Sequence, residues 1–431
     1  MMVKWKLLFS SIVVWVSVLP FWAQTGRGGL SQGVGKSGTA LQELQYAGYY
    51  FNYPGVPQGY QYTPAPDGYE PFYISHYGRH GSRFLTSNKK YDSVISLLQQ
   101  HVLTPFGKEI LLRMQKCYDY AKGNDGALSL LGAQQHRQIA ARMYAQYRQL
   151  LSQPLHVDAK SSTAMRCAMS MANCCMELRA LNPSLDICMQ SAARFMPVLV
   201  NKEEVAAGAC DSLRKEQFQQ FTDSIVQPAR FLENLFADYR DEAAGRQMML
   251  DCWHIYADMQ NLPELGISFR DLFTHDELFR LWQWDNAEDL YAYGILPGCS
   301  RRYHRNSHRI VEDIVSQADS VLLTGKQTVS LRFGHDTNLA SLAYLLQLSG
   351  CDGTPQNYRD AWKHWANYRV TPMAANLQIV FYRKPRQTLS PDGVLVKFIY
   401  NETERSIPVA TDCAPYYHWK DVRQWMTEIA R

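Results

Sequence analysis

The chain has 431 residues and a formal net charge of +4, from 44 Lys and Arg against 40 Asp and Glu. So small an excess gives no support for nucleic-acid binding, which requires a clustered basic face. Hydrophobic residues make up 46% of the chain and aromatic residues 12%, which excludes a disordered or fibrous protein. A chain of this length can bury a large core, and we expect it to divide into two domains.

Residues 1–23 have the pattern of a secretory signal peptide. Lys4 and Lys6 precede a mostly apolar run from Leu7 to Leu19, and Ala23 is a small residue at a candidate cleavage point. The run is short for a membrane span, and no later segment reaches the length of one. We therefore expect an exported protein, periplasmic or secreted, without a stable membrane span.

Residues 24–68 are predicted to form an N-terminal arm. Gly and Ser dominate from Thr25 to Ala40, which is typical of a flexible tail. Tyr, Pro and Gly alternate from Tyr46 to Tyr69 without a sustained period. This alternation favours a segment packed on the surface over a separate domain.

Ten cysteines occur in the chain, and no pair has the C-x-x-C spacing typical of metal or redox sites. In an oxidising compartment they are compatible with disulfides. We expect some to be bridged and the others to be buried thiols, with no catalytic role, and the pairing is left open. They are Cys117, Cys167, Cys174, Cys175, Cys188, Cys210, Cys252, Cys299, Cys351 and Cys413.

The most informative stretch begins at Ser75 and reads S-H-Y-G-R-H-G-S-R. A short apolar run precedes it, so Arg79, His80 and Arg83 are predicted at the exit of a strand, where open α/β sheets bind ligands. Two guanidinium groups flank one imidazole, and two glycines let the backbone approach a ligand closely. This pattern suits a phosphate group.

The motif R-H-G-x-R resembles the signature of the histidine acid phosphatase branch of the histidine phosphatase superfamily. In that family the histidine is the nucleophile that takes the phosphoryl group. The resemblance implies this role for His80 and phosphate binding for Arg79 and Arg83. It also implies an α/β fold, a three-layer sandwich with a mainly parallel central sheet and an inserted all-helical cap domain. The chain has Leu85 where the family usually has Pro, which leaves the rigidity of this loop open.

Thr86 and Ser87 follow the motif and fall where relatives contact substrate, so the resemblance makes both candidate substrate contacts. Beyond them, apolar residues such as Ile139 and Met143 recur at steps of three and four, which predicts helix. Gly132 and Gln135 match a G-x-x-Q segment that many relatives carry there. A helix start with a small residue for close packing explains this match equally well.

A second strand, polar loop and helix are predicted from Pro154 to Leu181, with Arg166 at the helix entrance. The family has a third phosphate-binding Arg at the corresponding point. The local pattern S-S-x-x-x-R-C is similar to the inositol-polyphosphate phosphatase branch. The resemblance therefore assigns Arg166 to phosphate, and an ordinary surface Arg is the alternative.

Strand patterns largely disappear between residues 201 and 303, where the sequence is charged, amphipathic and interrupted by Pro228 and Pro263. This predicts a helical insertion, and the family has a helical cap at this stage. We expect the α/β core to comprise residues 69–200 and 304–431.

The family's second signature is a His-Asp pair, and the insertion contains one at His275. Thr274 and Glu277 surround this pair as T-x-x-E, a helix capping box, so we interpret it as a helix start.

A second His-Asp pair, His335 and Asp336, follows a predicted strand at residues 328–333 and reads G-H-D-T-N-L. This matches the family closely. It implies that His335 binds phosphate and that Asp336 is the proton donor, and both converge with His80 if the sheet is parallel.

Hydrolysis of a phosphomonoester at a histidine needs a neutral imidazole, positive charge around the phosphate oxygens and a proton for the leaving alkoxide. Asp336 would donate that proton and then activate water. The negative charge of the substrate should raise the pKa of Asp336 and give an acidic pH optimum, although the arginines act in the opposite direction. We expect no metal and no other cofactor, because the guanidinium groups supply the electrostatic stabilisation.

The C-terminal part is predicted to return to the same sheet. Residues 376–383 and 394–400 are strand-like, with a turn at residues 390–393 and a last helix at residues 419–429.

The expected substrate is a small-molecule phosphomonoester. The basic run from Arg301 to Arg309 could bind further phosphates of an inositol polyphosphate such as phytate, or could be a solvated helix face. The second signature is similar to that of bacterial phytases and general acid phosphatases. A broad-specificity acid phosphatase, a sugar phosphatase, a phosphoglycerate-mutase-like transferase and an inactive binding homologue are the alternatives.

Overall fold

The structure is a computed structural model that describes residues 42–200, 209–293, 300–326, 328–387 and 389–431. Within these ranges the side chains of residues 209–214 and 300–306 are outside the description. The predicted signal peptide and Gly/Ser-rich tail, together with Cys299, lie outside the described residues.

Eight strands in the described ranges form one sheet. They are β1 (Glu70–Arg79), β2 (His156–Ser161), β3 (Asp186–Ser191), β4 (Thr328–Gly334), β5 (Asn376–Arg383), β6 (Leu395–Tyr400), β7 (Thr403–Arg405) and β8 (Tyr416–His418). The order is β3-β2-β4-β1-β5-β6-β7, and β8 pairs with β6. The first four strands in this order are parallel, and the others pair antiparallel.

Fifteen α-helices accompany the sheet within the described ranges. They are α1 (Lys89–Gln100), α2 (Pro105–Ala121), α3 (Leu130–Gln146), α4 (Arg148–Leu151), α5 (Met165–Leu181), α6 (Met196–Leu199), α7 (Ala209–Ile225), α8 (Ala229–Leu235), α9 (Glu242–Asp258), α10 (His275–Tyr293), α11 (Ser300–Thr324), α12 (Asp336–Leu345), α13 (Ala361–His364), α14 (Asn367–Val370) and α15 (Trp419–Ile429). A search of the described residues finds none of these helices both long and apolar enough to cross a membrane.

Two apolar clusters cover the two faces of the sheet. Along β5, Ile379 belongs to one cluster and Val380 to the other, as expected when successive side chains point to opposite faces. Met143 of α3 and Leu178 of α5 pack in the second cluster. The predicted three-layer α/β sandwich is confirmed, because the sheet lies between helices.

The described backbone between residues 209 and 303 contains helices and short 3₁₀ turns, in agreement with the predicted helical insertion. The capping box at the start of α10 is also present. Thr274 Oγ1 accepts a hydrogen bond from the Glu277 backbone N–H at 3.2 Å, and Glu277 Oε2 accepts one from the Thr274 backbone N–H at 2.8 Å. The first His-Asp pair is therefore a helix start, as interpreted. The proposed domain limits remain a prediction.

The predicted N-terminal arm packs against the end of the sheet through one buried carboxylate. Glu402, 2% exposed, accepts two hydrogen bonds from Arg142 at 2.9 and 2.7 Å and one from the Tyr53 hydroxyl at 2.9 Å. The Tyr62 hydroxyl donates to the Glu402 backbone carbonyl at 2.7 Å. The arm is thus attached by a charged group that the antiparallel strands bury.

The expectation of disulfides is wrong for the cysteines that the structure describes. All eight are free thiols, and five of them lie on helices that pack into the core: Cys117, Cys167, Cys174, Cys175 and Cys252. Small apolar side chains suit these positions without a bond. The side chains of Cys210 and Cys299 are outside the description.

We expect Glu402→Ala to lower the free energy of unfolding by about 3 kcal/mol, because it leaves a partly buried guanidinium without its partner. Urea denaturation measures the change. Asp360→Ala removes an exposed ion pair with Lys363 and should leave the midpoint unchanged. Equal midpoints for the two variants would show that Glu402 does not hold the arm.

Candidate active site

The ends of three parallel strands bring the predicted site residues together. Arg79 pairs with Gly334 across β1 and β4, and Ser161 pairs with Phe333 across β2 and β4. The residues that follow therefore leave the sheet at the same edge, where parallel sheets bind ligands. His80 and His335 meet there with ring centroids 5.7 Å apart.

His80 is buried, and its tautomer is set by its own loop. Nδ1 lies 2.9 Å from the Gly81 carbonyl oxygen, which can only accept, so Nδ1 carries the proton. Nε2 therefore has a free lone pair. Burial, followed by the positive charges of Arg79 and Arg166, holds the pKa of the imidazole well below its usual range. The ring is thus neutral at acidic pH, as a nucleophile requires.

Arg79 is fully buried and is oriented by two backbone carbonyls. Its Nη1 donates to the Tyr49 oxygen at 2.8 Å and to the Thr371 oxygen. Nη2 lies 3.5 Å from Oδ2 of Asp336. The carbonyls come from distant parts of the chain, and no sequence pattern marked either residue.

Arg83 and Arg166 complete the group of guanidiniums. Nη1 of Arg83 donates to the Phe84 carbonyl oxygen at 2.9 Å, and the group lies over the Tyr50 ring, 5.3 Å from its centroid. Arg166 is the second residue of α5, and its Nη2 lies 3.5 Å from Nδ1 of His335. Burial and the positive charge of Arg83 lower the pKa of Arg166, which is the effect expected of like charges held together.

Four buried guanidinium nitrogens in this group make no hydrogen bond to any described residue: Nε and Nη2 of Arg79, Nε of Arg83 and Nε of Arg166. Buried donors in native proteins normally have partners. While Asp258 beside Arg83 is neutral, the three guanidinium charges face the one carboxylate of Asp336, and the surplus equals in size the charge of a phosphate dianion. The arrangement is therefore an anion site.

His335 is the N-cap residue of α12, and its ring is held by Arg166 and Ser162. Its Nδ1 accepts from Nη2 of Arg166, and its Nε2 lies 3.2 Å from the Ser162 hydroxyl. A guanidinium group only donates hydrogen bonds, so Nδ1 of His335 is unprotonated and accepts. The imidazole proton is therefore on Nε2. Burial, followed by the charge of Arg166, lowers the pKa of His335 to about 4.

Asp336 is the first residue of α12 and is held between Arg79 and Tyr293 of α10. Its Oδ2 accepts a hydrogen bond from the Tyr293 hydroxyl at 3.1 Å. Burial by itself raises the pKa of this carboxyl, but Arg79, His335 and Arg83 act more strongly together and hold it below its usual value. The expected rise in pKa therefore depends on the negative charge of a bound substrate.

Two glycines allow α3 to lie directly against the loop that carries His80. A Cβ on Gly81 would lie 2.5 Å from the Gly132 oxygen, and one on Gly132 would lie 2.1 Å from the Ser82 oxygen. Oε1 of Gln135 accepts from the Ser82 backbone N–H at 2.8 Å. The G-x-x-Q pattern of the sequence thus supports the loop, in addition to starting a helix.

The departure from the family at Leu85 has a structural counterpart. The backbone N–H of Leu85 hydrogen-bonds to Asp258, and a proline could not make this bond. Asp258 is fully buried and also accepts from Nδ2 of Asn261 at 3.2 Å. Burial raises the pKa of Asp258 to about 7 against the effect of Arg83. Below that pH the carboxyl is neutral and does not compensate Arg83.

Thr86 and Ser87 lie at the rim of the site. Thr86 and Arg166 both lie near Gly126: a Cβ on this glycine would lie 3.4 Å from Nη1 of Arg166 and 3.7 Å from Cα of Thr86. The side chain of Thr86 is exposed. Ser87 Oγ accepts from the Lys89 backbone N–H at 3.3 Å at the start of α1, where Asn88 is the N-cap residue. Substrate contact by both residues stays a prediction.

His80, His335 and Asp336 each offer a ligand atom within 4.8 Å of the others, so metal binding must be considered. The neighbouring guanidinium groups repel a cation in this buried setting. The residues present therefore fit an anion better than a metal ion.

The fold and the imidazole among guanidinium groups define an enzyme that acts on phosphate esters. The chain belongs to the histidine phosphatase superfamily (branch 2), whose family model matches residues 78–401. This confirms the resemblance drawn from R-H-G-x-R and makes the protein a phosphatase. No curated protein sequence matches the chain.

Solved structures share the fold at low identity. The multiple inositol polyphosphate phosphatase of Bifidobacterium longum, in complex with inositol hexasulfate, aligns with a TM-score of 0.73 and 19% identity, over 89% of this chain and 97% of that chain. The phytase from D. castellii aligns with a TM-score of 0.62 and 15% identity, over 90% and 85% of the two chains. The Klebsiella sp. ASR1 phytase aligns with a TM-score of 0.51 and 12% identity, over 84% and 96%.

We expect Gly132→Ala to lower phosphatase activity by about 100-fold, because the added methyl displaces the loop that carries the nucleophile. Turnover of p-nitrophenyl phosphate measures this. Gly393→Ala, whose added Cβ meets only a side-chain oxygen at 3.7 Å, is the matched control. Full activity in Gly132→Ala would mean that the close contact between α3 and the loop does not position His80.

Proposed function

We propose that the protein is an exported phosphomonoester hydrolase that acts through a phosphohistidine at His80, with inositol polyphosphates as its substrate class. The four buried guanidinium nitrogens that make no hydrogen bond, around one neutral imidazole, carry this proposal. The charge and donor groups match a phosphate monoester dianion, and Nε2 of His80 has the free lone pair needed for attack.

In the proposed first step Nε2 of His80 bonds to phosphorus as the ester P–O bond breaks. Arg79, Arg83 and Arg166 bind the phosphoryl oxygens, and their donors stabilise charge that develops in the transition state. Asp336 gives a proton to the leaving alkoxide. In the second step Asp336, as a carboxylate, takes a proton from the water that attacks the phosphohistidine.

The proposed substrate class rests on positive charge beyond the three central arginines and on the fold shared with solved structures. Thr86 and Arg166 both lie near Gly126, and the exposed Lys89 lies at the start of α1, where further phosphates of a polyphosphorylated ring would be stabilised. The B. longum structure, crystallised with inositol hexasulfate, has the same fold over 97% of its length. Most of the basic run from Arg301 to Arg309 lies outside the described side chains and adds no support here.

Export is proposed from the signal-like residues 1–23. A secreted location agrees with an enzyme that releases phosphate from organic esters outside the cytoplasm. A broad-specificity acid phosphatase with the same nucleophile remains the second candidate, since its second signature would also be His-Asp.

The central experiment measures phosphate release from inositol hexakisphosphate, glucose 6-phosphate and p-nitrophenyl phosphate at pH 5. We expect the highest kcat/KM for the inositol ester, because its remaining phosphates would interact with Lys89 outside the three arginines. His80→Ala should reduce all three to background. Equal turnover by the variant would refute the phosphohistidine, and similar kcat/KM for all esters would favour the broad-specificity phosphatase.

We expect Asp336→Asn to slow alkyl phosphates by roughly 100- to 10,000-fold, and p-nitrophenyl phosphate far less, because nitrophenolate leaves without a proton. The proton-donating form of Asp336 exists below its pKa, so wild-type kcat for alkyl esters should fall as pH rises through that value, whereas neutral His80 keeps activity at low pH. Uniform slowing across leaving groups would count against Asp336 as the acid.

A further inference from the structure

Tyr293 is the last described residue of α10 and contacts Asp336, the proposed acid. Its hydroxyl donates to Oδ2 of Asp336 at 3.1 Å, and the tyrosine is 3% exposed. The hydroxyl also hydrogen-bonds with the side chain of Asp289, one helical turn earlier. Asp289, Tyr293 and Asp336 therefore form a continuous row of hydrogen-bonding oxygens.

The number of protons in this row is set by the hydrogen bonds. A phenol has one proton to donate. If Tyr293 donates it to Asp336, the bond with Asp289 requires a proton on Asp289. If Tyr293 donates it to Asp289, the bond with Asp336 requires a proton on Asp336. Both bonds exist together only when the two carboxyl groups hold one proton between them, and the two arrangements differ by a shift of two protons.

The surroundings of Asp289 favour a proton on that carboxyl. Nδ2 of Asn367 donates to Oδ2 of Asp285 at 2.6 Å and to Oδ2 of Asp289 at 2.8 Å. The amide orientation is fixed, since Oδ1 of Asn367 accepts from Trp282 Nε1 at 3.1 Å and from the Tyr368 backbone N–H at 2.9 Å. Two ionised carboxylates sharing one neutral amide inside a protein would repel each other strongly.

Other charged groups near Asp289 strengthen this preference. On its own helix Asp285 and Glu288 face it, and Asp336 faces it from α12; all three are carboxyls. Burial, followed by the negative charge of Asp336, raises the pKa of Asp289 well above its usual range. Arg79, the nearby cation, acts instead on Asp336 and Tyr293. The resting proton of the row is thus on Asp289.

We propose that Asp289 and Tyr293 store and deliver the proton that Asp336 gives to the leaving alkoxide. The inference rests on the proposed function. When the substrate dianion neutralises the guanidinium charge, the Asp289 proton moves to the Tyr293 oxygen as the Tyr293 proton moves to Oδ2 of Asp336. The ester oxygen then receives the proton as its bond to phosphorus breaks.

The reverse shift closes the cycle. After Asp336 has taken a proton from the attacking water, the Oδ2 proton returns to Tyr293 as the Tyr293 proton returns to Asp289. Tyr293 is a neutral phenol after each shift. The two carboxyl groups together carry one negative charge before the proton is donated, two while the phosphohistidine exists, and one again after the proton of the water has been taken up. Asp289 and Tyr293 touch no reacting atom, so they are positioning residues that act through Asp336.

The test replaces Asp289 by asparagine, which keeps the shape and cannot release a proton. We expect Asp289→Asn to lower kcat for an alkyl phosphate by at least about tenfold and to change kcat for p-nitrophenyl phosphate by less than about twofold. The alkaline limb of the pH profile for the alkyl ester should also move to lower pH, because only the single proton on Asp336 remains. Tyr293→Phe should give the same selective loss, and the double variant no further loss.

Asp285→Asn is the matched control, since Asp285 is on the same helix, is also buried and shares the same amide. At low pH it should keep the wild-type ratio of the two substrates, because Asp289, its proton and Tyr293 all remain. The proposal is overturned if Asp289→Asn slows both esters equally or matches Asp285→Asn. If Asp289→Asn does not fold, as judged by thermal unfolding, an unchanged ratio in Tyr293→Phe overturns it. Loss of activity on both esters in His80→Ala shows separately that the proposed function stands.

Discussion

Three guanidinium groups held together in a buried pocket are the constraint on which this structure depends. Such a cluster is unstable without compensation, because each charge loses water and repels the others. Asp336 beside Arg79 supplies one opposite charge. The other partners are neutral groups: the carbonyls of Tyr49, Thr371 and Phe84 and the ring of Tyr50. These neutral partners orient the arginines without cancelling their charge, so the remaining positive charge is available to a bound anion.

The same positive charge has opposite effects on the proposed nucleophile, His80, and on the proposed proton donor, Asp336. It keeps His80 unprotonated, which favours attack, and it keeps Asp336 ionised, which opposes proton donation. A phosphate dianion relieves the second effect when it binds. The Tyr293 hydroxyl of α10 donates to the same Oδ2 of Asp336 that faces Arg79, and the same helix carries the buried carboxyl of Asp289. The protonation of Asp336 therefore depends on how negative charge is distributed between a bound anion and the carboxyl groups of α10.

Local patterns predicted the parts of the site that the chain brings to strand ends. The strand, turn and helix around His80, Arg166 and His335 were recognisable because each has a short local signature. The helix start at Thr274 was likewise separated from the true second motif. Strand β3 was not predicted, since its six residues mix polar and apolar side chains without the alternation that marks a strand.

The residues that sequence reasoning missed act through contacts between distant segments. Tyr49, Thr371, Asp258 and Tyr293 have no motif, and each becomes visible only when the fold places it beside an arginine or a carboxyl. Bridged cysteines were expected from the oxidising compartment, whereas all eight described cysteines are free thiols, five of them on helices that pack into the core. Composition indicates an environment but carries no information about which side chains meet. The Leu85 N–H shows how a departure from the family can be compensated by a residue far along the chain.

Strand β1 carries the nucleophile loop, yet its neighbours in the sheet are β4 and β5, which come from residues 328–334 and 376–383. Contacts of such long sequence separation close late during folding. A chain still emerging from the ribosome thus lacks both neighbours of β1, together with His335 and Asp336, until most of it has been synthesised. An incomplete chain therefore cannot assemble the complete site.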